Sequence, residues 1–156
     1  MARQGRVDIV TSLMKTRERS EYLLFTSAYI SVPAVIITRK EVAGTLSLDQ
    51  METLKIAVGQ GYAVTSYLDK NYPRLHLVSA DDDTACLKML SFGEVDAAIV
   101  DLASASYVID TLKITNLRVA GNVGFKYELC FASRQDWPIL NRIMDKAIAQ
   151  VSKTEQ

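Results

Sequence analysis

The side chains of this sequence that carry nucleophilic or metal-binding chemistry are few and widely spaced. His76 is the only histidine, and Cys86 and Cys130 are the only cysteines. His76 sits between Leu75 and Leu77 in what reads as a strand, and its plain role is that of a partly exposed strand residue. The cysteines fall one in an expected helix and one in an expected strand, with no metal-type spacing between them. Two buried free thiols explain them more simply than a disulfide. A Ser-His-Asp or Cys-His enzyme would depend wholly on His76, so covalent catalysis has little support.

Binding chemistry is better represented. Gly59-Gln60-Gly61 leaves a strand and enters a helix, where glycines let backbone N–H groups turn toward a ligand and the helix N-terminus favours a carboxylate. Val64 stands where the dinucleotide fingerprint needs its third glycine, which argues against a nicotinamide cofactor. A bare tight turn and an anion-binding turn fit this stretch equally well. Asp101 ends the run Gly93-Glu94-Val95-Asp96-Ala97-Ala98-Ile99-Val100-Asp101. A carboxylate at a strand end can hold an ammonium group, although position alone favours the N-cap of the next helix. Arg19 lies in Thr16-Arg17-Glu18-Arg19-Ser20-Glu21 and could grip a carboxylate through two parallel hydrogen bonds. By itself that run reads as a solvated charged segment. Asp81-Asp82-Asp83 suggests either the clustered acids of a phosphate-accepting receiver or a helix cap, and the cap is simpler.

The elements that must position these residues alternate cleanly in the middle of the chain. An apolar run at 54–58 predicts a strand, and 62–72 a helix with Val64, Tyr67 and Leu68 on one face, stopped by Pro73. A second strand follows at 75–79. The next helix carries Ala85, Leu87, Met89 and Leu90 on its apolar face and ends at Gly93. Residues 97–100 predict a third strand and 103–112 a third helix. This order predicts a parallel sheet covered on both faces, with ligands outside the carboxyl ends of its strands. The flanks predict strands at 7–10, 32–38, 117–120 and 129–132, and a charged helical turn at 16–22. The last helix is capped by Asp136, has Pro138 in its first turn, and presents Ile139, Leu140, Ile143, Met144, Ala147, Ile148 and Val151 as a buried stripe.

Composition narrows the function classes. Eighteen basic residues balance eighteen acidic ones, and no basic patch of the kind that binds nucleic acid appears. With 49% apolar residues the chain is ordinary for a globular protein. Its longest apolar run, at 32–37, is far too short to span a bilayer. Met1-Ala2-Arg3-Gln4-Gly5 lacks the apolar stretch and cleavage site of a signal peptide.

Taken in order, the short motifs of the chain resemble the family-3 periplasmic solute-binding proteins, the Venus-flytrap clamshells. The likeness is strongest to the extracytoplasmic sensor domains of BvgS-like hybrid histidine kinases. It is carried by Arg6-Val7-Asp8-Ile9-Val10, Thr16-Arg17-Glu18-Arg19, Leu24-Phe25-Thr26-Ser27-Ala28-Tyr29 and Gly61-Tyr62-Ala63-Val64. It continues through Tyr67-Leu68, Asn71-Tyr72-Pro73, Gly93-Glu94-Val95-Asp96-Ala97, Asp101-Leu102-Ala103 and Phe131-Ala132-Ser133-Arg134-Gln135-Asp136-Trp137-Pro138-Ile139-Leu140.

The resemblance implies an α/β clamshell of the periplasmic-binding-protein type II class, with mixed and parallel sheets joined by hinge strands. Residues 1–32 and 124–151 would form a remnant of lobe 1 whose N-terminal part is missing. The hinge crossings would lie at 33–38 and 119–127, and lobe 2 at 39–118. Arg19 matches the arginine that grips a ligand carboxylate in amino-acid-binding members, and Asp101 the aspartate that holds the ammonium. Gly61, Tyr62 and Ala63 match the turn that completes the carboxylate site. Met14 departs from the pattern, since a hydroxyl residue usually stands five positions before the arginine. The implied role is an extracytoplasmic sensor of an amino acid or other carboxylate, coupled to a transmembrane signalling protein such as a histidine kinase. The alternatives are a solute-binding protein of an amino-acid ABC transporter and, more remotely, a dehydratase-type enzyme on the same fold. No catalytic residue, metal or cofactor is implied, and an incomplete lobe 1 would leave apolar surface open to self-association.

Overall fold

A computed structural model of the chain describes residues 7–154, with side chains to residue 151. The strands are β1 (Ile9–Met14), β2 (Leu23–Phe25), β3 (Ile30–Arg39), β4 (Lys55–Gly59), β5 (His76–Ala80), β6 (Ala97–Asp101) and β7 (Leu117–Arg134). The helices are α1 (Ala63–Asn71), α2 (Asp83–Ser91), α3 (Leu102–Thr111) and α4 (Pro138–Thr154). The chain forms two compact units, one of Met1–Ser31 with Glu128–Gln156 and one of Val32–Tyr127, and passes between them within β3 and at β7.

The second unit is the α/β layer that the alternation predicts. β4 pairs in parallel with β5 (Gly59 opposite Ala80) and with β6 (Val58 opposite Ile99), while β3 runs antiparallel to β6 with Ala34 opposite Asp101. Strand order puts β7 beyond β3. Val35, Ile37, Ala57, Ala98 and Val100 pack with Cys86, Leu87 and Leu90 of α2 and with Ala105 and Val108 of α3. Their alternate neighbours Ile36, Ile56, Val58 and Ile99 are also fully buried, so both faces of the sheet are covered. Burial of β-branched residues on both faces is the main stabilising term here, at about 25 cal/mol per Å² of apolar surface.

Helix ends follow local chemistry. α2 closes in a Schellman motif: Glu94 N–H donates to Met89 and Gly93 N–H to Leu90, with Gly93 at φ 79°. The Arg39 guanidinium covers the same end by donating to the carbonyls of Leu90 and Val95. α3 ends in the same motif, but Lys113 takes the left-handed position at φ 52°.

In the first unit, β1 and β2 both pair antiparallel with the end of β7, through Val10 and Phe25 on either side of Ala132. A bulge in β1 between Val10 and Leu13 places Ser12 at φ 54°, and the Ser12 and Tyr29 hydroxyls are 2.7 Å apart.

Several expectations are corrected. The strands at 117–120 and 129–132 are one strand of 18 residues. The middle, Gly121-Asn122-Val123-Gly124, does not end it: Gly124 adopts φ 77°, and its N–H donates to the Asn122 side chain. Asp136 stands one residue before the cap position, since α4 begins at Pro138, and Arg134 holds its carboxylate through Nε and Nη2 at 2.9 and 2.5 Å. The charged turn at 16–22 shortens to a 3-10 helix at Arg19–Glu21. The α4 stripe is not buried as a whole. Leu140, Met144 and Ile148 are half-buried, while Ile139, Ile143 and Val151 are exposed at 73%, 59% and 58%. α4 is held to β2 and the segment after it by polar contacts, with Asn141 donating to Leu24 and Asp145 accepting from the Ser27 N–H. That docking face is narrower than the apolar stripe.

Candidate functional site

Three strand-to-helix junctions lie along one edge of the second unit. β4 ends at Gly59 and leads to α1, β5 ends at Ala80 and leads to α2, and β6 ends at Asp101 and leads to α3. Because these strands are parallel and in register, the first turns of all three helices share that edge. Each first turn offers N–H groups without intrahelical partners and the positive end of a helix dipole.

The glycine turn is shaped for this position. Gly61 sits at φ 71°, a conformation that excludes most side chains, and Gln60 N–H ties the turn to the Ala80 carbonyl. Tyr62 is the N-cap of α1 with extended backbone, and its side chain makes no capping hydrogen bond. Its ring is therefore not spent on the helix, and Ala63 begins the helix.

Asp101 is both an N-cap and a strand-end carboxylate. Its Oδ1 accepts from the Ser104 N–H at 2.7 Å, which leaves the second oxygen for another partner. The Asp81-Asp82-Asp83 run divides its labour in the same way. Asp82 caps α2 by accepting from Ala85 N–H at 2.8 Å, Asp81 is exposed, and Asp83 is buried at 7% exposure. Capping explains one acid of the three. The Asp83 carboxyl is pushed up to about 7, first by burial and then by the adjacent Asp101 carboxyl, with the Ser104 side chain opposing.

Tyr127, the last residue of the second unit, completes the cluster. It is 7% exposed, its hydroxyl has no hydrogen-bond partner among the described residues, and burial together with Asp83 and Asp101 raises its pKa. Its ring meets Phe125 edge-on at 5.2 Å, and Phe125 in turn meets Tyr67 at 5.1 Å. Tyr62 is raised by burial and then by Asp83 and Asp82. The Cys86 thiol is pushed up to about 12 by burial and the same two acids, which leaves it an inert neutral thiol at neutral pH.

Of the residues singled out from the sequence, the second unit brings Gly61, Tyr62, Ala63 and Asp101 to one edge. Arg19 belongs to the first unit, where its Nη1 donates to the Met14 carbonyl at 2.9 Å and its N–H bonds the Thr16 hydroxyl. His76 is exposed on β5, and Cys86 and Cys130 are free and buried. A separate concavity lined by Asp49, Glu52, Tyr72 and Arg74 lies at the opposite, amino ends of the strands, with the Arg74–Glu52 ion pair on its wall. Asp83 and Tyr127 escape sequence reading. The only signal for Asp83 was a third acid where a helix needs one cap, and Tyr127 lies in a stretch expected only to cross between lobes.

The arrangement can hold a cationic group against carboxylates and an anionic one against helix N-termini. Among the described residues no group of histidine, cysteine and acidic side chains could hold a metal ion. Comparison with known proteins agrees with a binding role. The sequence profile of the bacterial extracellular solute-binding proteins, family 3, matches residues 1–156. The virulence sensor protein BvgS of Bordetella pertussis is 26% identical over 154 residues, covering 98% of this chain and 12% of BvgS. The solved periplasmic VFT2 domain of BvgS superposes with a TM-score of 0.88 at 26% identity, over 99% of this chain and 66% of that one. A histidine kinase sensor domain with similarity to periplasmic binding proteins gives the same TM-score at 24% identity, over 99% and 68%. The chain thus spans about two-thirds of these solved domains and about an eighth of the curated relative. With a periplasmic-binding-protein fold and a profile match over its whole length, the chain belongs to the family-3 bacterial extracellular solute-binding proteins.

Proposed function

We propose that the chain is an extracytoplasmic small-molecule binding module that serves as the sensor of a transmembrane signalling protein such as a histidine kinase. Asp101 carries this reading: it ends β6 at the proposed ligand edge, its cap hydrogen bond takes one carboxylate oxygen, and its carboxyl adjoins that of Asp83, where an ammonium can be held. The turn at Gly61, Tyr62 and Ala63 supplies backbone N–H groups for an anionic part of the ligand. Arg19 is assigned the ligand carboxylate: among the described residues its guanidinium bonds one backbone carbonyl, that of Met14, and its planar fork suits a carboxylate. The ligand class is an amino acid or a related carboxylate. The likeness to BvgS supports the signalling role over simple transport.

Two experiments test this. A thermal-shift screen of L-amino acids and short carboxylic acids, followed by titration calorimetry, should find a ligand whose binding is lost in Asp101→Asn. The coding sequence on both sides of residues 1–156 should encode a membrane-spanning helix and a kinase or similar output domain. A stop codon directly after the module, beside transporter genes, would refute the sensor role.

A further inference from the structure

Buried polar atoms without partners are rare, because each costs free energy that a hydrogen bond would recover. Among the described residues three side-chain atoms are in this state: Thr38 Oγ1, Asp83 Oδ1 and the Tyr127 hydroxyl. Two of the three lie in the same region of the second unit, where α2 and α3 pack together, and Asp83 and Asp101 are the charged neighbours of Tyr127. Asp83 and Tyr127 are each 7% exposed. They come from different elements, the first turn of α2 and the last second-unit residue of β7, while Asp101 caps α3.

We propose that Asp83, Asp101 and the Tyr127 hydroxyl form a proton-holding cation site, in which the two carboxyls share a proton when empty and release it when a ligand ammonium group binds. This rests on the ligand edge assigned above and names what that edge selects. Two carboxyls in contact and shielded from water resist ionising together without a counter-charge, so the second proton is held to a higher pH, as happens in other carboxylate pairs. The groups that face Asp83 are Asp101 and Ser104 of α3, Asp82 and Cys86 of α2, Tyr62 at the start of α1, and Tyr127 of β7. None of these is a cation, so the counter-charge is either a proton or a ligand. A primary ammonium brings three donors and one positive charge: one donor for each carboxyl and one for the Tyr127 oxygen. The balance is simple. The carboxylic acid loses H⁺ to solvent, and the ammonium takes its place between two carboxylates with no covalent bond made to the ligand.

Above the Asp83 midpoint, about 7, the pair is ionised and a cation binds without proton release. Below it, every bound cation must displace a proton, so affinity falls by up to about tenfold per pH unit.

The test is carboxyl ¹³C NMR on the 156-residue chain, with 1,4-diaminobutane as the probe and 1,4-butanediol as the uncharged control. The expected result is an Asp83 carboxyl that titrates near neutrality and shifts downward in Asp101→Asn. Saturating diamine should lower its midpoint by at least one pH unit, and the diol should not move it. Diamine affinity by calorimetry should rise several-fold from pH 5.5 to 7 and then level, and Asp83→Asn should abolish that slope. An Asp83 carboxyl that titrates in the ordinary range, or a midpoint unmoved by the diamine, overturns the proposal. Failure of the underlying reading looks different. If the diamine moves Asp83 but no amino acid or carboxylate binds, the cation site stands and the proposed ligand class falls. If an amino acid binds through Asp101 with no pH slope, the ligand class stands and the proton-holding pair falls.

Discussion

Gly59 and Tyr62 are packed so closely that a Cβ built on Gly59 would stand 2.7 Å from the Tyr62 ring. The glycine that ends β4 thereby sets where the α1 cap residue lays its aromatic side chain, one of the groups facing Asp83. Gly59→Ala should therefore do more than stiffen a turn. The clash involves the ring carbon nearest the backbone as well as the edge, so the whole side chain must swing away. The expected cost is about 1–3 kcal/mol in chemical denaturation, together with weaker ligand binding. Unchanged stability and binding would show that the contact is dispensable.

Asp101→Asn separates the two roles of that residue. The amide oxygen can still accept from the Ser104 N–H, so stability should change by less than about 1 kcal/mol. Binding of an amino-acid ligand should fall by more than about tenfold, because a hydrogen bond to a charged group contributes about 1.5–3 kcal/mol. Lost stability with intact binding, read by denaturation and calorimetry, would leave only the cap.

Arg19→Ala should weaken binding of a carboxylate ligand by more than about tenfold, on the same range for a charge-assisted bond. Arg19→Lys should recover only part of the loss, since lysine cannot form the bidentate pair. Calorimetry that finds the alanine variant unimpaired removes Arg19 from the site.

The buried Asp83 also predicts how stability depends on pH. Its folded pKa, about 7, lies above the ordinary carboxyl value, so between these limits the folded state keeps a proton that the unfolded state has lost. Stability therefore falls as pH rises through this window, by up to about 1.4 kcal/mol per pH unit, and levels above the folded value. Ligand-free protein should be more stable near pH 5.5 than near pH 8.5 in urea melts. Asp83→Asn should flatten that difference.

Lys113 occupies the left-handed position after α3 at φ 52°, where a side chain costs about 1–2 kcal/mol. Its ion pair with Asp110 is exposed on both sides and offsets little of that. Lys113→Gly should raise stability by about 0.5–1 kcal/mol and leave binding unchanged, because the loop lies at the end of α3 away from Asp101.

How much of this was legible in the residues follows from the range of the forces involved. The strands and helices of the second unit could be read because apolar period, glycine stops and acidic caps act over a few residues, as at Gly93 and Asp82. Asp101 and the turn at Gly61 were legible for the same reason, since a strand end and a helix start are local events. β7 was split at its glycines because local breaker signals cannot see the pairing partners that carry a strand through. The α4 stripe was legible as a pattern but not as burial, since Asn141 and Asp145 decide which part of the helix faces β2. Asp83 and Tyr127 belong wholly to the tertiary structure. In sequence they are one acid of a run and one tyrosine of a connecting stretch. Only the fold places them, far apart along the chain, in a shared dry spot beside Asp101, and desolvation there turns an ordinary carboxylate into one that titrates near neutrality.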